Sequence, residues 1–330
     1  MKKTLIGFCF LAFVLLLTFS QTGWAGANAD YSHWLEKLRT EAQLSGIKVD
    51  VLNAALADVK PLDWIIKLDR AQPEFKKTLP EYLAGAVTSK RIKRGQQLLS
   101  EDEATFVQIS RNYQVQPRFL LALWGIETNF GVHTGKVPVI AALVTLAFDG
   151  RRSDYFRQEL LYALQILDQD HIQPDQMKGS WAGAMGQVQF MPSSFLNYAV
   201  DGNGDGRIDL WNTRKDYLSS AANYLARLGW DDRYTWGREV TLPENLNAGY
   251  LGLKKELPLS AWQKLGIRTI ERKNLPVAQI MASLIQPDGS QGRAFLVYSN
   301  YRVLLKWNRA HRFAIAVGTL ADRIGNRQPK

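Results

Sequence analysis

Residues 120–131 read LLALWGIETNFG, and the one carboxylate in that run, Glu127, is the first candidate for chemistry. Gln116-Pro117 gives a helix start, since proline is tolerated in the first turn. Phe119, Leu120, Leu121, Leu123, Trp124 and Ile126 leave that helix almost without a polar face, so it belongs in a core. Glu127 lies four residues after Leu123 and three after Trp124, and therefore shares their face, where a glutamate is seldom found without a partner or a task. Two readings follow, and this stretch alone does not separate them. Desolvation would favour the neutral acid and fit Glu127 to give up a proton near neutral pH, or the residue is a helix-terminal glutamate that pairs with an arginine or reaches solvent.

A second set of oxygens lies downstream. Asp201, Asn203, Asp205, Gly206, Arg207 and Asp209 fall at positions 1, 3, 5, 6, 7 and 9 of an EF-hand calcium loop, with Ile208 at the apolar eighth place. A chain that turns sharply at Gly206 delivers side chains from alternate positions together with the Arg207 carbonyl. Position 12 is Asn212, which has no bidentate carboxylate, and Asp216 supplies one if the chain wraps one turn further. The expected ion is a structural Ca2+ held by Asp201, Asn203, Asp205, Arg207 and Asp216; the other reading is an Asp/Asn/Gly turn without metal. Between Glu127 and this loop, Gly179, Gly183 and Gly186 form a tract that allows close backbone approach, with Ser180, Gln187 and Gln189 adding hydrogen-bonding groups. Tight packing alone would also account for that tract. His33, His133, His171 and His311 show no metal-ligand spacing.

The elements that must position these groups read as mostly helical. Apolar residues recur at helical spacing through residues 31–95, punctuated by Gly46, Pro61, Pro73 and Pro80. Further helices are expected at 101–113, 117–130, 139–148, 155–168, 193–200 and 215–228, and nothing before residue 178 requires a strand. Beyond Trp230, strand-like runs at 239–242, 282–285 and 294–298 mark a small sheet-bearing subdomain, and helices at 301–307 and 313–324 return to the main core.

With 330 residues, 46% hydrophobic and 22% charged, the chain can bury a sizeable core. Met1-Lys2-Lys3, an apolar run over residues 5–19 and Gly23-Trp24-Ala25-Gly26-Ala27 make the three parts of a secretory signal, residues 1–27. The apolar run is too short for a comfortable membrane span. Cys9, the single cysteine, sits inside that run after Phe8, which does not suit a lipid-anchor cleavage box. A soluble, exported, monomeric protein is expected, with no disulfide, no lipid anchor and no organic cofactor. Removing Lys2 and Lys3 lowers the formal charge from +10 to +8. Outside the cytoplasm a basic protein is not expected to meet nucleic acid, and an acidic envelope polymer is the better partner.

Taken together, WGIETNFG (residues 124–131), FDGRRSDYF (148–156), KGSWAGAMGQVQFMPSSF (178–195), AVDGNGDGRIDLW (199–211), SAANYLARLGW (220–230) and WNRAHRFAIAVGTL (307–320) make the chain resemble the lytic murein transglycosylases of the membrane-bound lytic murein transglycosylase B type. The resemblance implies an α+β, mostly α fold. It would comprise an N-terminal helical segment (28–95), a lysozyme-like core (96–230) with an EF-hand-like loop (201–216), a small β-containing subdomain (231–298) and C-terminal helices (299–330). It also implies periplasmic cleavage of the β-1,4 bond between N-acetylmuramic acid and N-acetylglucosamine in peptidoglycan glycan strands. There the muramyl C6 hydroxyl replaces water and leaves a 1,6-anhydro end.

In that family one glutamate is both acid and base, and the matching position is Glu127. Raising its pKa from about 4.3 to about 6 needs roughly 2.3 kcal/mol from its surroundings. No second acid in the matching site motifs takes the partner role of ordinary glycosidases, which fits substrate-assisted chemistry through the N-acetyl group. By the same matching Ser180, Gln189, Arg151 and Tyr82 line the cleft. Trp307 and Phe313 stand where the family has tyrosines, so Trp307 could stack on a sugar but Phe313 cannot donate a hydrogen bond. The loop from 201 to 216 is also one residue longer than usual. A hydrolytic muramidase and an inactive peptidoglycan-binding protein are the alternatives.

Overall fold

A computed structural model describes residues 22–71 and 77–326, with side chains from residue 30 onward. Residues 1–21 of the expected export signal, including Cys9, lie outside the described residues, as does Pro73. The helices are α1 (Thr22–Leu44), α2 (Val49–Leu56), α3 (Asp63–Ala71), α4 (Leu79–Ala86), α5 (Ser89–Glu101), α6 (Glu103–Tyr113), α7 (Pro117–Thr128), α8 (Val139–Phe148), α9 (Ser153–Asp168), α10 (Pro192–Tyr198), α11 (Arg214–Arg227), α12 (Leu259–Lys264), α13 (Ser299–Trp307) and α14 (His311–Ile324). None of the described helices is long and apolar enough to cross a membrane.

Local chemistry accounts for several boundaries. Thr78 and Glu81 form a reciprocal capping box at the start of α4, with Pro80 in its first turn, and the Thr88 hydroxyl accepts from the Arg91 N–H at the start of α5. The helix expected at 117–130 begins at Pro117 and stops two residues early, because Asn129 (φ 52°), Phe130 (φ 58°) and Gly131 (φ 87°) are all left-handed. Such backbone is costly outside glycine. It is held by the Phe130 ring, which packs edge-on against Trp124 at 5.6 Å. The run from Phe119 to Leu123 is buried on every side, with α14, α5, α6 and α11 all against α7. Helices α8 and α9 pack against each other, with α3 on α8 and α10 on α9.

The strands are β1 (Val137–Pro138), β2 (Lys178–Gly179), β3 (Gly237–Thr241), β4 (Leu257–Pro258), β5 (Arg268–Thr269), β6 (Met281–Ile285) and β7 (Ala294–Val297). β1 pairs with β2, which places a strand earlier in the chain than expected; two residues are too few to show alternation. The other five form one antiparallel sheet, ordered β4-β6-β7-β3-β5. Alternation along β6 and β7 divides their side chains between two cores. Ile285, Phe295 and Val297 join the large helical core, while Leu284, Leu296 and Tyr298 join a smaller one with Leu259 and Trp262 of α12. The fold is mostly α with a β-containing subdomain.

One glycine reports how closely α14 approaches this junction. A Cβ on Gly318 would lie 2.2 Å from Trp236 Cδ2, and the Trp236 indole is fixed by donating to Asp322 Oδ2 at 2.9 Å. Alanine is favoured over glycine in a helix by about 1 kcal/mol, but overpacking a fixed ring at this distance costs toward about 3 kcal/mol, so Gly318→Ala should lose about 2 kcal/mol net. Denaturant unfolding checks this, and an unchanged or raised midpoint would contradict the packing argument.

Candidate active site

The C-terminal turn of α7 is tied to the glycine tract through Gln187. Trp124 is 4% exposed, and its Nε1 donates to Gln187 Oε1 at 2.8 Å. Gln187 Nε2 donates to the Trp211 carbonyl at 2.9 Å, and the Thr128 hydroxyl donates to the Gln187 carbonyl at 2.8 Å. The glycines nearby are required by this proximity. A Cβ at Gly179 would lie 2.1 Å from the Ala184 carbonyl oxygen, and one at Gly186 would lie 2.5 Å from that of Leu210. The tract thus packs protein against protein at these positions.

On this frame Glu127 is half-buried, and its Oε1 accepts from Trp307 Nε1 at 2.7 Å. The indole is itself held, with ring centroids 5.3 Å from Phe190 and 4.7 Å from Tyr224. The Tyr224 hydroxyl donates to the Lys306 carbonyl at 2.9 Å, and burial pushes its pKa up to about 12, so it stays neutral. Sequence spacing gave no sign of the Glu127–Trp307 contact, because 180 residues separate the partners. Phe313 is 4% exposed and packs in the main core.

Of the other expected site residues, Gln189 ends the turn that Met185 and Phe190 close. It is left-handed (φ 52°), and its Nε2 donates to the carbonyls of Thr134 at 3.0 Å and Gly186 at 2.9 Å. Tyr82 lies half-buried on α4. It neighbours Arg91, whose Nε donates to Oδ1 of Asn129, the residue that ends α7, at 3.3 Å. Ser180 and Arg151 are held by bonds of their own. The Ser180 hydroxyl accepts from the Ala184 N–H at 3.0 Å and closes its turn. Arg151 Nη1 donates to Asp69 Oδ2 at 2.9 Å, and Arg152 Nη2 binds the other Asp69 oxygen. Asp69 is 2% exposed, a buried carboxylate that sequence reading passed over because a lone Asp on α3 carries no motif.

The loop after α10 is closed by its own side chains. Asp201 accepts from the N–H groups of Gly206 at 2.7 Å and Gly204 at 2.6 Å, which hold its carboxyl below the usual range. Asn203 Nδ2 donates to Asp205 Oδ2 at 2.8 Å. Asp216 is fully buried and accepts from Gly202 N at 2.9 Å and Asp209 N at 2.8 Å, so it fastens the two ends of the loop. Its pKa is raised, first by burial and then by the charges of Asp201 and Asp205. His171, which had no expected role, accepts from the Ile208 N–H through Nδ1 at 3.3 Å. Among the described residues no three His, Cys, Asp or Glu side chains are grouped to hold a metal ion. The donor types are nonetheless all oxygen, as a hard cation requires, and the mutual repulsion of Asp201, Asp205 and Asp216 is of the kind a divalent ion relieves.

Residues 30–322 match the family model described as a Transglycosylase SLT domain. The chain is 31% identical over 287 residues to the membrane-bound lytic murein transglycosylase B of Escherichia coli (strain K12), covering 83% of this chain and 77% of that protein. Among solved structures it is similar to SltB3 of Pseudomonas aeruginosa in complex with NAG-NAM-pentapeptide. That likeness has a TM-score of 0.86 and 39% identity, covering 89% of this chain and 79% of the other. It is also similar to the Escherichia coli lytic transglycosylase Slt35 in complex with calcium, with a TM-score of 0.75 and 28% identity over 90% of this chain and 93% of that one.

The Gln187 junction makes a stability prediction. Gln187→Leu keeps much of the volume but strands the buried Trp124 N–H, and should destabilise the fold by about 2 kcal/mol. Thermal or denaturant unfolding measures it; a variant as stable as the parent would show that the bridge contributes nothing.

Proposed function

Belonging to the Transglycosylase SLT family, the chain is a lytic transglycosylase that degrades peptidoglycan, and we propose that Glu127 is its single acid and base. The reaction cleaves the β-1,4 bond between N-acetylmuramic acid and N-acetylglucosamine and leaves 1,6-anhydromuramic ends. Protonated Glu127 gives its proton to the glycosidic oxygen as the C1–O bond breaks, and the substrate's N-acetyl oxygen stabilises the anomeric carbon. The carboxylate then takes the proton of the muramyl C6 hydroxyl as O6 bonds to C1. No water is consumed, and Glu127 ends protonated, ready for another turnover.

The observation that carries this reading is the half-buried Glu127 carboxyl at the end of α7, bonded to Trp307 and set beside buried Trp124. Buried carboxylates elsewhere in the helical core have other work. Glu159 accepts from the backbone and hydroxyl of Ser193 at 2.9 and 2.7 Å, Asp149 is paired with Arg70 at 2.8 Å, and Asp69 holds Arg151 and Arg152. A cleft that uses one carboxylate relies on the substrate for the second function.

Ser180, Gln189, Arg151 and Tyr82 line the substrate cleft in this reading. Asp69 holds the Arg151 guanidinium in place, and the basic balance of the chain favours an acidic polymer as partner. The enzyme works as a monomer in the periplasm, brought there by residues 1–27. Asp201, Asn203, Asp205, the Arg207 carbonyl and Asp216 would hold a structural Ca2+, whose positive charge would stiffen the loop between α10 and α11.

Mass spectrometry of a peptidoglycan digest tests the chemistry: 1,6-anhydro ends are expected, and reducing ends would mean hydrolysis. Glu127→Gln should lower the rate by about 10²–10⁴-fold, the usual contribution of a general acid and base. Calcium is checked separately by melting the protein in chelator and in millimolar calcium. At a hundredfold excess over Kd, native-state binding adds about 2.7 kcal/mol. Identical melting temperatures would remove the ion from the account.

A further inference from the structure

We propose that Trp307 is a positioning residue whose indole N–H decides which oxygen of Glu127 carries the catalytic proton; this rests on the reading of Glu127 as acid and base. Trp307 Nε1 is 2.7 Å from Glu127 Oε1. An indole N–H only donates. Oε1 must therefore accept in both charge states of Glu127, and a protonated hydroxyl oxygen is a poorer acceptor than a carbonyl oxygen. The acid proton accordingly sits on Oε2, so delivery to the glycosidic oxygen and uptake from the C6 hydroxyl use the same atom.

A tyrosine, which the resembled family carries at this position, would leave that choice open, because a phenol can donate to a carboxylate or turn and accept from a carboxylic acid. The indole cannot turn in this way, nor is it free to move. Its ring meets Phe190 on the glycine tract and Tyr224 on α11, and the Lys306 carbonyl just before it is held by the Tyr224 hydroxyl. Phe190 is fixed in turn by paired backbone bonds with Met185 at 2.7 and 3.0 Å. These contacts engage the ring that a sugar-stacking platform would need to present. The Trp307–Glu127 bond also strengthens when Glu127 loses its proton, since a donor facing an ionised acceptor is roughly twice as effective as one facing a neutral group. Trp307 thus favours the charge state reached after the leaving group has been protonated.

The test compares wild type with Trp307→Phe, which keeps an aromatic ring but removes the donor, and Trp307→Tyr, which restores one. Without the donor the carboxylate holds its proton to higher pH, so the alkaline limb of the kcat profile should move up by about one pH unit. For Trp307→Phe, kcat on soluble glycan strands should fall about tenfold with KM nearly unchanged, and Trp307→Tyr should recover most of the rate. A loss confined to KM, or a wild-type pH profile, would overturn the inference in favour of sugar stacking or simple packing. If Trp307→Phe does not fold, ¹⁵N NMR of the wild type gives the same answer. The Trp307 indole resonance should titrate with the alkaline limb of kcat and stop titrating in Glu127→Gln; an indole signal independent of pH overturns the role. A fully active Glu127→Gln would refute the acid/base reading itself. An inactive Glu127→Gln beside an unchanged Trp307→Phe profile would refute only the part assigned to Trp307.

Discussion

The Gln187 amide is the joint on which the site depends. Its carbonyl oxygen takes the Trp124 indole, its amino group reaches the Trp211 carbonyl, and its backbone carbonyl takes the Thr128 hydroxyl. One residue therefore connects the end of an apolar helix, the glycine tract and the acidic loop at Trp211. An amide withdrawn from water is costly unless both ends are satisfied, and satisfying this half-buried one fixes three segments together. The left-handed exit of α7 through Asn129 and Phe130 is tolerable because that joint and the Trp124–Phe130 contact hold both sides of the bend.

The sequence made the carboxylate legible because a charge in an otherwise apolar helical run is an anomaly that needs no partner to be noticed. Helix α9 was readable because its apolar stripe is carried in the chain itself, and α8 because its run is apolar throughout. Contacts made by folding alone were out of reach. The indole that bonds Glu127 comes from α13, and no local pattern links them. Asp69 carries no motif in the sequence, and its two arginine partners lie about eighty residues away in the turn before α9. The short pair β1 and β2 and the helix α12 were missed because each is too brief to establish a period.

Asp216 has a part in the loop that residue spacing does not reveal. Its carboxylate was expected to complete an ion's shell from one turn beyond the loop. It is completely buried and bonds the backbone at Gly202 and Asp209. Buried length and bond direction decide that role, and neither is written in residue spacing.

The alternation along β6 and β7 has a mechanical consequence. Neighbouring residues such as Leu284 and Ile285, or Phe295 and Leu296, point into different cores, so the two cores are opposite sides of the same strands. Moving the sheet away from the helices would expose Ile285, Phe295 and Val297 to water while leaving the sheet's own hydrogen bonds intact, so apolar burial is what holds the two parts together. The two parts should therefore melt together as a single cooperative unit.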